Sequence, residues 1–425
     1  MRARGIWIAA VLTFSLARGV PAAAADGVLR VGTSGDYAPF STWRPGQEGQ
    51  LDGFDVAVAR RFAADRGLRL ELVPFRWPSL LDDLAAARFD VAMSGVTVRP
   101  ERSVAGRFTA PVAETGAVVV VRTADRWEAV DDLDAPGVRI AVNAGGHLER
   151  VARARFPHAD LVVIEGNAGV ATALETGRVE AAVSEVFEAA VWIRDGIGAA
   201  RMGPFTRDRK AYLVRADDAD LAATLDTWLV AREEDGTLGG LRRSYLGAAA
   251  APSASPLEAL VAAIDERCAL MELVAAAKRL SGRPLVDPER ERLVLETSAA
   301  TVVAAARRAG VTAPAPAAVA GFYEAVIGAA REVQTAAAPE RSGGQAGAWD
   351  LERDLRPAVL RIGDRMARLL VLLPAGLERG PVEGSVAAGL RTAGVSAASR
   401  ARIAGAIVAL TVHAPSLPSP DPGSP

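Results

Sequence analysis

The apolar pattern of this chain changes character once, and that change fixes its architecture. From Leu29 to Gly247 short β-type runs alternate with amphipathic helical segments, and LRVG, FDVAVARRFAADRG, LELVPF, SLLDDLAAARF and DVAMSG follow one another in the first part. A second set opens after PVAETGAVVVV with RIAVNAGG, LVVIEG, the helix-like NAGVATALETGRVE and AAVSEV. Two βαβ lobes joined by crossing segments enclose a cleft, and ligands of such sheets bind beyond the carboxyl ends of the strands. Residues 248–255, AAAAPSAS, are small, uncharged and interrupted by proline, as a linker is. Beyond them the alternation stops, and alanine-rich segments with helical spacing run over 257–280, 288–309, 316–337 and 351–373. The expected fold is an α/β two-lobed domain over 26–247 followed by an all-α domain over 256–414, with a proline-rich, disordered tail at 415–425.

A chain of 425 residues has room for two cores. Its 49 basic and 51 acidic residues nearly balance, which removes the basic surface that nucleic acid or an anionic membrane needs and leaves small molecules as partners. The first 25 residues read as a signal peptide: Arg2 and Arg4, an apolar core from Ile6 to Ala17, and small residues from Ala22 to Ala25. Export from a two-membrane bacterium means the periplasm. No other segment offers the roughly 20 apolar residues of a membrane span. The single cysteine, Cys268, sits in an apolar helical pattern and reads as a buried inert thiol. His147, His158 and His413 share no metal-ligand spacing, so neither a metal nor another cofactor is expected.

In the helical half, Arg267 and Lys278 lie eleven residues apart on an otherwise apolar segment. At about 100° per residue that separation returns to within roughly 20° of the same face. GRPLVDPER then breaks and restarts the helix, with Asp287 as N-cap, Pro288 at the first helical position and Arg290 in the first turn. Cations on the inward stripe of a bundle are costly unless paired, and no equal run of carboxylates shares this stripe. Either these long side chains reach out to water, or they surround a doubly negative ligand.

The spacing from Arg267 to Lys278 and on to Asp287, Arg290 and Glu291 resembles the active-site framework of the all-helical chorismate mutases. FYEAVIGAAREVQ, residues 322–334, resembles the motif of that family's secreted class, and DLRPAVLRIGDRM resembles its extra C-terminal part. The resemblance spans Leu257 to about Leu373. It implies that Arg267 and Arg290 hold the carboxylates of chorismate, with Arg356 as a third partner. It implies that Lys278 and Gln334 donate to the ether oxygen and that Glu291 binds the ring hydroxyl. A pericyclic rearrangement needs no nucleophile or cofactor, only a compact conformer and donors aimed at the growing charge. A homodimer through the helical half is also implied. The sequence departs from the family in a connection one residue longer after Arg290 and in Ala330, which stands where a polar side chain is expected.

In the first half, LRVGTSGDYAPFS, GFDVAVARRFA, RFDVAMSGVTVRPER and FTAPV resemble the periplasmic polar amino-acid-binding proteins of transport systems. That resemblance implies that Arg102 grips a ligand carboxylate, assisted by Thr97 and by backbone groups of the Ser94–Gly95 turn. Glu185 stands where that family holds the ligand's amino group. NAGGHLER opens a helix after a strand, so Asn143, Gly145, Gly146 and His147 form an anion-accepting wall, with His147 a cap-region residue more simply than a catalyst. A narrower resemblance, carried by GTSGDYAPFS, FRWPSLLDDL, VNAGG, SEVFEA and KAYL, is to the periplasmic cyclohexadienyl dehydratases. It implies Glu188 as proton donor and Asp36, Tyr37, Trp77 and Lys210 as the rest of the pocket, although Tyr37 and Trp77 also read as ordinary lobe-face aromatics. Apolar neighbours from Phe187 to Trp192 would keep Glu188 protonated at neutral pH.

The two resemblances fit together, because one half makes prephenate and the other consumes it. The expected activity is chorismate to prephenate and then prephenate to phenylpyruvate, with arogenate left open as a second substrate. Two other readings remain: an amino-acid-binding protein of a transport system with an appended helical domain, and a mutase whose lobes only capture product.

Overall fold

The computed structural model describes residues 27–44, 46, 49–123, 126–247, 254–337 and 349–411. The expected signal peptide at 1–25, residues 248–253 of the expected linker, the expected tail at 415–425 and His413 lie outside the described residues.

The first lobe opens with β1 (Val28–Thr33) and a small meander of β2 (Asp36–Tyr37), β3 (Ser41–Trp43) and β4 (Leu51–Asp52). Helix α1 (Phe54–Arg66) follows and ends at Gly67, whose left-handed conformation closes the helix as the sequence FAADRG leads one to expect. Next come β5 (Arg69–Pro74), α2 (Leu80–Ala85), β6 (Val91–Ala92), α3 (Pro100–Ala105) and β7 (Gly106–Phe108). The chain crosses at β8 (Ala113–Thr115) into the second lobe. There lie β9 (Ala117–Val121), β10 (Arg139–Asn143), α4 (His147–Arg155), β11 (Asp160–Ile164), α5 (Asn167–Glu175), β12 (Ala181–Glu185), α6 (Val186–Arg194) and β13 (Ala200–Met202). It returns at β14 (Asp208–Lys210), antiparallel to β8, and inserts β15 (Leu213–Arg215) into the first sheet before α7 (Ala219–Glu234) and α8 (Thr237–Leu246). The strand orders are β5-β1-β6-β15-β7 and β11-β10-β12-β9-β13. Strand β9, AVVVV, is buried throughout, as a continuous apolar run between two helical layers must be.

The helical half contains α9 (Pro256–Leu280), α10 (Pro288–Ala309) and α11 (Pro316–Ala336), within one residue of the expected bounds. Ser255 and Asp287 cap the first two with side-chain oxygens, and proline stands at the first position of all three. The segment expected at 351–373 is a π-turn (Leu351–Leu355) leading into α12 (Arg356–Leu370). Two further helices, α13 (Arg379–Gly389) and α14 (Ala397–Thr411), were not expected. RGPVEGSVAAG is poor in helix formers, and its order comes from Val382 and Val386, buried against the rest of the bundle. Among the described residues no helix is long and apolar enough to cross a membrane.

The two halves share a core and a polar seam. Three arginines of α12 at helical spacing reach the first lobe. Arg361 donates to the carbonyls of Ser103 and Val104, Arg365 to the carbonyl of Phe108 at 2.7 Å, and Arg368 to Asp226 at 2.9 Å. Arg365 also pairs with Glu266 of α9 at 2.6 Å, and both are almost fully buried. Removing one partner of a buried pair strands the other charge. Arg365→Ala should therefore lower unfolding free energy by about 3–5 kcal/mol in urea denaturation of the whole chain. A loss below about 1 kcal/mol, the scale of an exposed pair, would mean that this seam is open to water in solution.

Candidate active sites

In the helical half, four helices turn matched faces toward one cavity of about 1140 Å³, its open mouth included. Helix α9 contributes Arg267, Met271, Val274 and Lys278, and α11 contributes Tyr323, Ile327, Ala330 and Gln334, at the same steps of four, three and four residues. Arg290 and Glu291 come from the first turn of α10, and Arg356 and Asp364 from α12. Arg267, Lys278, Asp287, Arg290, Glu291, Gln334 and Arg356, the helical-half residues expected at the substrate, all line this space. Arg331, Tyr323 and Asp364 were missed, although counting back eleven residues from Gln334 would have found Tyr323.

Five cations and three carboxylates line the cavity, an excess of two positive charges. Glu291 is held by Arg331, and Arg356 by Glu352. By contrast Arg267, Lys278 and Arg290 have no carboxylate within ion-pair distance among the described residues. Arg267 is only 7% exposed, and its Nη1 has no hydrogen-bond partner. Burial pulls its pKa down, but a guanidinium stays charged. The Lys278 ammonium donates to the Leu285 carbonyl at 2.6 Å and to Gln334 Oε1 at 3.1 Å, which leaves its third proton for a ligand. Because Gln334 accepts from Lys278 through oxygen, its NH₂ points elsewhere and makes only contacts of 3.5 Å, to the Met271 sulfur and the Ala330 carbonyl. Lys278 and Gln334 thus each keep donor capacity on the cavity wall. Cys268 faces away from water, and burial pushes its thiol up to about 12, consistent with an inert core residue.

The lobe cleft is narrower, about 310 Å³. Tyr37, Trp77, Thr97, Arg102, Asn143, Gly146 and Lys210 line it, together with His147 and Asn167. Lys210, 4% exposed, donates to Tyr37 Oη and Thr97 Oγ1 at 3.0 Å each and lies 5.0 Å from the centre of the Tyr37 ring. Arg102 donates to the Thr97 carbonyl at 2.9 Å and stacks over Trp77. Burial, with Arg99 and Arg150 nearby, pushes Arg102 down to about 9, still protonated at neutral pH. The Tyr37 hydroxyl is driven well above its usual range by burial and by Glu185 and Glu188, so it stays a neutral donor.

Some expectations are corrected. The Ser94 hydroxyl does not face the cleft but bonds Ser34, and the Gly95 N–H points into the lobe at buried Asp55. Gly95 itself is required, because at φ +62° a Cβ would sit 2.7 Å from the Tyr37 ring. Asp36 latches the lobes by accepting from the backbone N–H of Asn167, at the start of α5, at 3.1 Å. His147 opens α4, as a cap-region residue does, and also ties the lobes: Nδ1 accepts from Arg99 of the other lobe at 2.6 Å, and Nε2 lies 3.0 Å from Asp208. Its burial lowers its pKa, which keeps the ring neutral.

Glu185 and Glu188 lie behind the cleft wall at the β12–α6 junction. Glu185 caps α6, accepting the Glu188 N–H at 2.8 Å through one oxygen and the Thr115 hydroxyl through the other. Glu188, 3% exposed, accepts from Ser184 Oγ at 2.7 Å through Oε2, which leaves Oε1 to carry a proton. Its pKa is raised well above the carboxylic range, first by burial and then by Glu185 and Asp36. The sequence placed this acid correctly in its apolar setting; Ser184, Thr115 and Asp36 as its neighbours required the fold.

A two-lobed cleft domain followed by a helical domain with a cationic interior defines the class. The model of bacterial extracellular solute-binding proteins, family 3, matches residues 29–248, and that of chorismate mutase type II matches residues 258–335. The chain belongs to the first of these families and carries a domain of the second. Cyclohexadienyl dehydratase of Pseudomonas aeruginosa is 36% identical over 218 residues, 50% of this chain and 80% of that protein. L-cystine-binding protein TcyJ of Escherichia coli is 26% identical over 224 residues, 52% of this chain and 84% of that protein. Among solved structures, the ancestral amino acid-binding protein AncCDT-1, a precursor of cyclohexadienyl dehydratase, is 31% identical, with 52% of this chain and 96% of that one covered and a TM-score of 0.49.

A buried cation held for a ligand costs stability when the ligand is absent. Arg267→Met, in a cavity wall already lined by Met271 and Val274, should raise the denaturation midpoint, by about 1–4 kcal/mol of unfolding free energy. A destabilised variant would show that the guanidinium is satisfied within the protein.

Proposed function

We propose that the chain rearranges chorismate to prephenate in the helical cavity and then dehydrates and decarboxylates prephenate to phenylpyruvate in the lobe cleft, as an exported periplasmic enzyme. One observation carries the reading: among the described residues each cavity is lined by cations that form no salt bridge, Arg267, Lys278 and Arg290 in the helical half and Arg102 and Lys210 in the cleft. The match to a dehydratase and the presence of a mutase domain supply the same pair independently.

In the helical cavity Arg267 and Arg290, with Arg356, would hold the two carboxylates of chorismate in the compact conformer. Lys278 and Gln334 would meet the ether oxygen, where negative charge grows as the C–O bond breaks while the new C–C bond forms. Glu291, fixed by Arg331, would accept from the ring hydroxyl. All four walls come from one chain, so a dimer is not needed to complete the site.

In the cleft Arg102 and Lys210 would hold prephenate, with Tyr37, Trp77, Thr97 and the Asn143–Gly146 turn against its ring and side chain. As the ring carboxylate leaves as CO₂, its electron pair enters the ring, and the C–OH bond breaks with its pair on oxygen. Glu188 gives that oxygen its proton, so water leaves and the ring becomes aromatic. A receptor for free amino acids would instead need a carboxylate for the ammonium group. Glu185, the residue in that place, is occupied by Thr115 and the α6 cap. The same occupation favours prephenate over arogenate.

Purified protein given chorismate, with prephenate and phenylpyruvate followed in time, tests the whole reading; no turnover together with tight binding of an amino acid would end it. Lys278→Ala should slow chorismate loss by about 10²–10³-fold, the scale of a lost transition-state donor, and leave added prephenate turning over normally. Glu188→Gln should let prephenate accumulate. Parent dehydration should fall as pH rises through the elevated Glu188 pKa, since only the protonated acid donates, while chorismate rearrangement does not share that fall. A parental dehydration rate in Glu188→Gln would show the acid to be another group.

A further inference from the structure

Among the described residues β8 and β14 carry the chain between the lobes, so opening of the cleft bends these strands. They pair as Asp208 with Thr115, Arg209 with Glu114 and Lys210 with Ala113. Successive strand residues face opposite sides. Asp208 and Lys210 face the cleft, toward His147 and Tyr37, and Arg209 faces the helical domain.

There the hinge meets a closed ring of charges. Arg209 donates to Asp265 of α9 at 2.6 Å and to the Gly389 carbonyl at the end of α13. Arg391, just beyond α13, donates to both Glu114 oxygens, at 2.7 and 2.6 Å. Asp265 accepts the backbone N–H groups of Arg391 and Thr392, at 2.7 Å each, and closes the circuit. Gly389 has no room for a side chain, because a Cβ would stand 2.5 Å from Val261 Cγ1 and 3.4 Å from Arg209 Nη2. The Arg209 side chain is 9% exposed and that of Asp265 14%, so water screens this pair weakly, and the Arg391–Glu114 pair, 16% and 32% exposed, somewhat more. Asp265, Glu266 and Arg267 are consecutive on α9 and reach the hinge, Arg365 of α12 and the helical cavity respectively.

We infer that Arg391 and Asp265 of the helical domain are positioning residues for the cleft: they clamp β8 and β14 from behind and so hold Lys210 in the orientation that receives the substrate. The inference rests on the proposed prephenate chemistry for its kinetic consequence and on the hinge geometry alone for the clamp. Neither residue lines either cavity that binds substrate.

The full chain with Arg391→Ala and Arg391→Lys tests it. Arg391→Ala should raise KM for prephenate roughly 3- to 30-fold, the range of a single coupling contact, with kcat within about twofold and chorismate kinetics unchanged. Arg391→Lys should recover most of the loss. Hydrogen exchange at residues 113–115 and 208–210 reads the clamp without any reaction, and should speed up in Arg391→Ala and slow again in Arg391→Lys. If the parent ignores prephenate, the proposed function fails and exchange alone decides the clamp. Unchanged exchange at the hinge overturns the inference, as does an equal loss in both reactions with a lowered melting temperature, which would report general unfolding.

Discussion

Positive charge held inside folded protein is the constraint on which both cavities depend. A lone buried cation costs several kcal/mol after relaxation, so each must be held by structure that would be more stable without it. In the helical half that structure is the four-helix frame. Arg267 and Lys278 sit on the same stripe of a long, capped helix, Arg267 buried and Lys278 half-buried, with Met271 and Val274 between them. In the cleft the frame is the lobe closure itself, with Lys210 kept charged by Tyr37, Thr97 and the nearby carboxylates against a burial that lowers its pKa. Preorganisation of this kind is what a rearrangement without covalent catalysis requires, because the donors must already point where charge will appear.

The two cavities differ in how they keep a proton. The mutase-type cavity uses groups whose protons never leave: a guanidinium, an ammonium and an amide. The proposed dehydration needs one that does leave, and burial and crowding raise the pKa of the candidate for it. Glu188 lies in reach of Glu185 and Asp36 in a space closed to water, and such crowded carboxyls do not all ionise. Both Glu185 oxygens are engaged, by Thr115 and the α6 N-terminus, whereas Glu188 has one oxygen beyond its bond from Ser184 to carry a proton. The division of roles between two carboxylates three residues apart is thus set by which of them caps the helix.

How much of this was legible in the sequence follows from which interactions are local. The bounds of α9, α10 and α11 were readable to a residue because caps, prolines and apolar spacing act within one or two turns. The Arg267–Lys278 face was readable for the same reason. Helix α13 was not, since its glycines oppose helix formation and only packing against distant residues orders it. Ser94 and the Gly95 N–H were placed in the cleft by resemblance. Their true partners, Ser34 and Asp55, lie sixty and forty residues away, beyond the reach of any local pattern. The role of His147 was illegible likewise, because Arg99 and Asp208 meet it only when the lobes close.

The seam between the halves shows why a fusion of this kind constrains both partners. Helix α12 has a narrow choice of residues on two faces: Arg356, Gly363 and Asp364 toward the cavity, and Arg361, Arg365 and Arg368 toward the first lobe. Among the described residues the hydrogen bonds from α12 to the N-terminal half fall on residues 103–109 and 226, all of the first lobe and its following helix. A rearrangement site of rigid helices gains from being bolted to something. A cleft that must admit and release a ligand needs one wall to remain free. Attachment to one lobe and to the hinge, leaving α4, α5 and α6 of the other lobe outside the seam, meets both needs in a single chain.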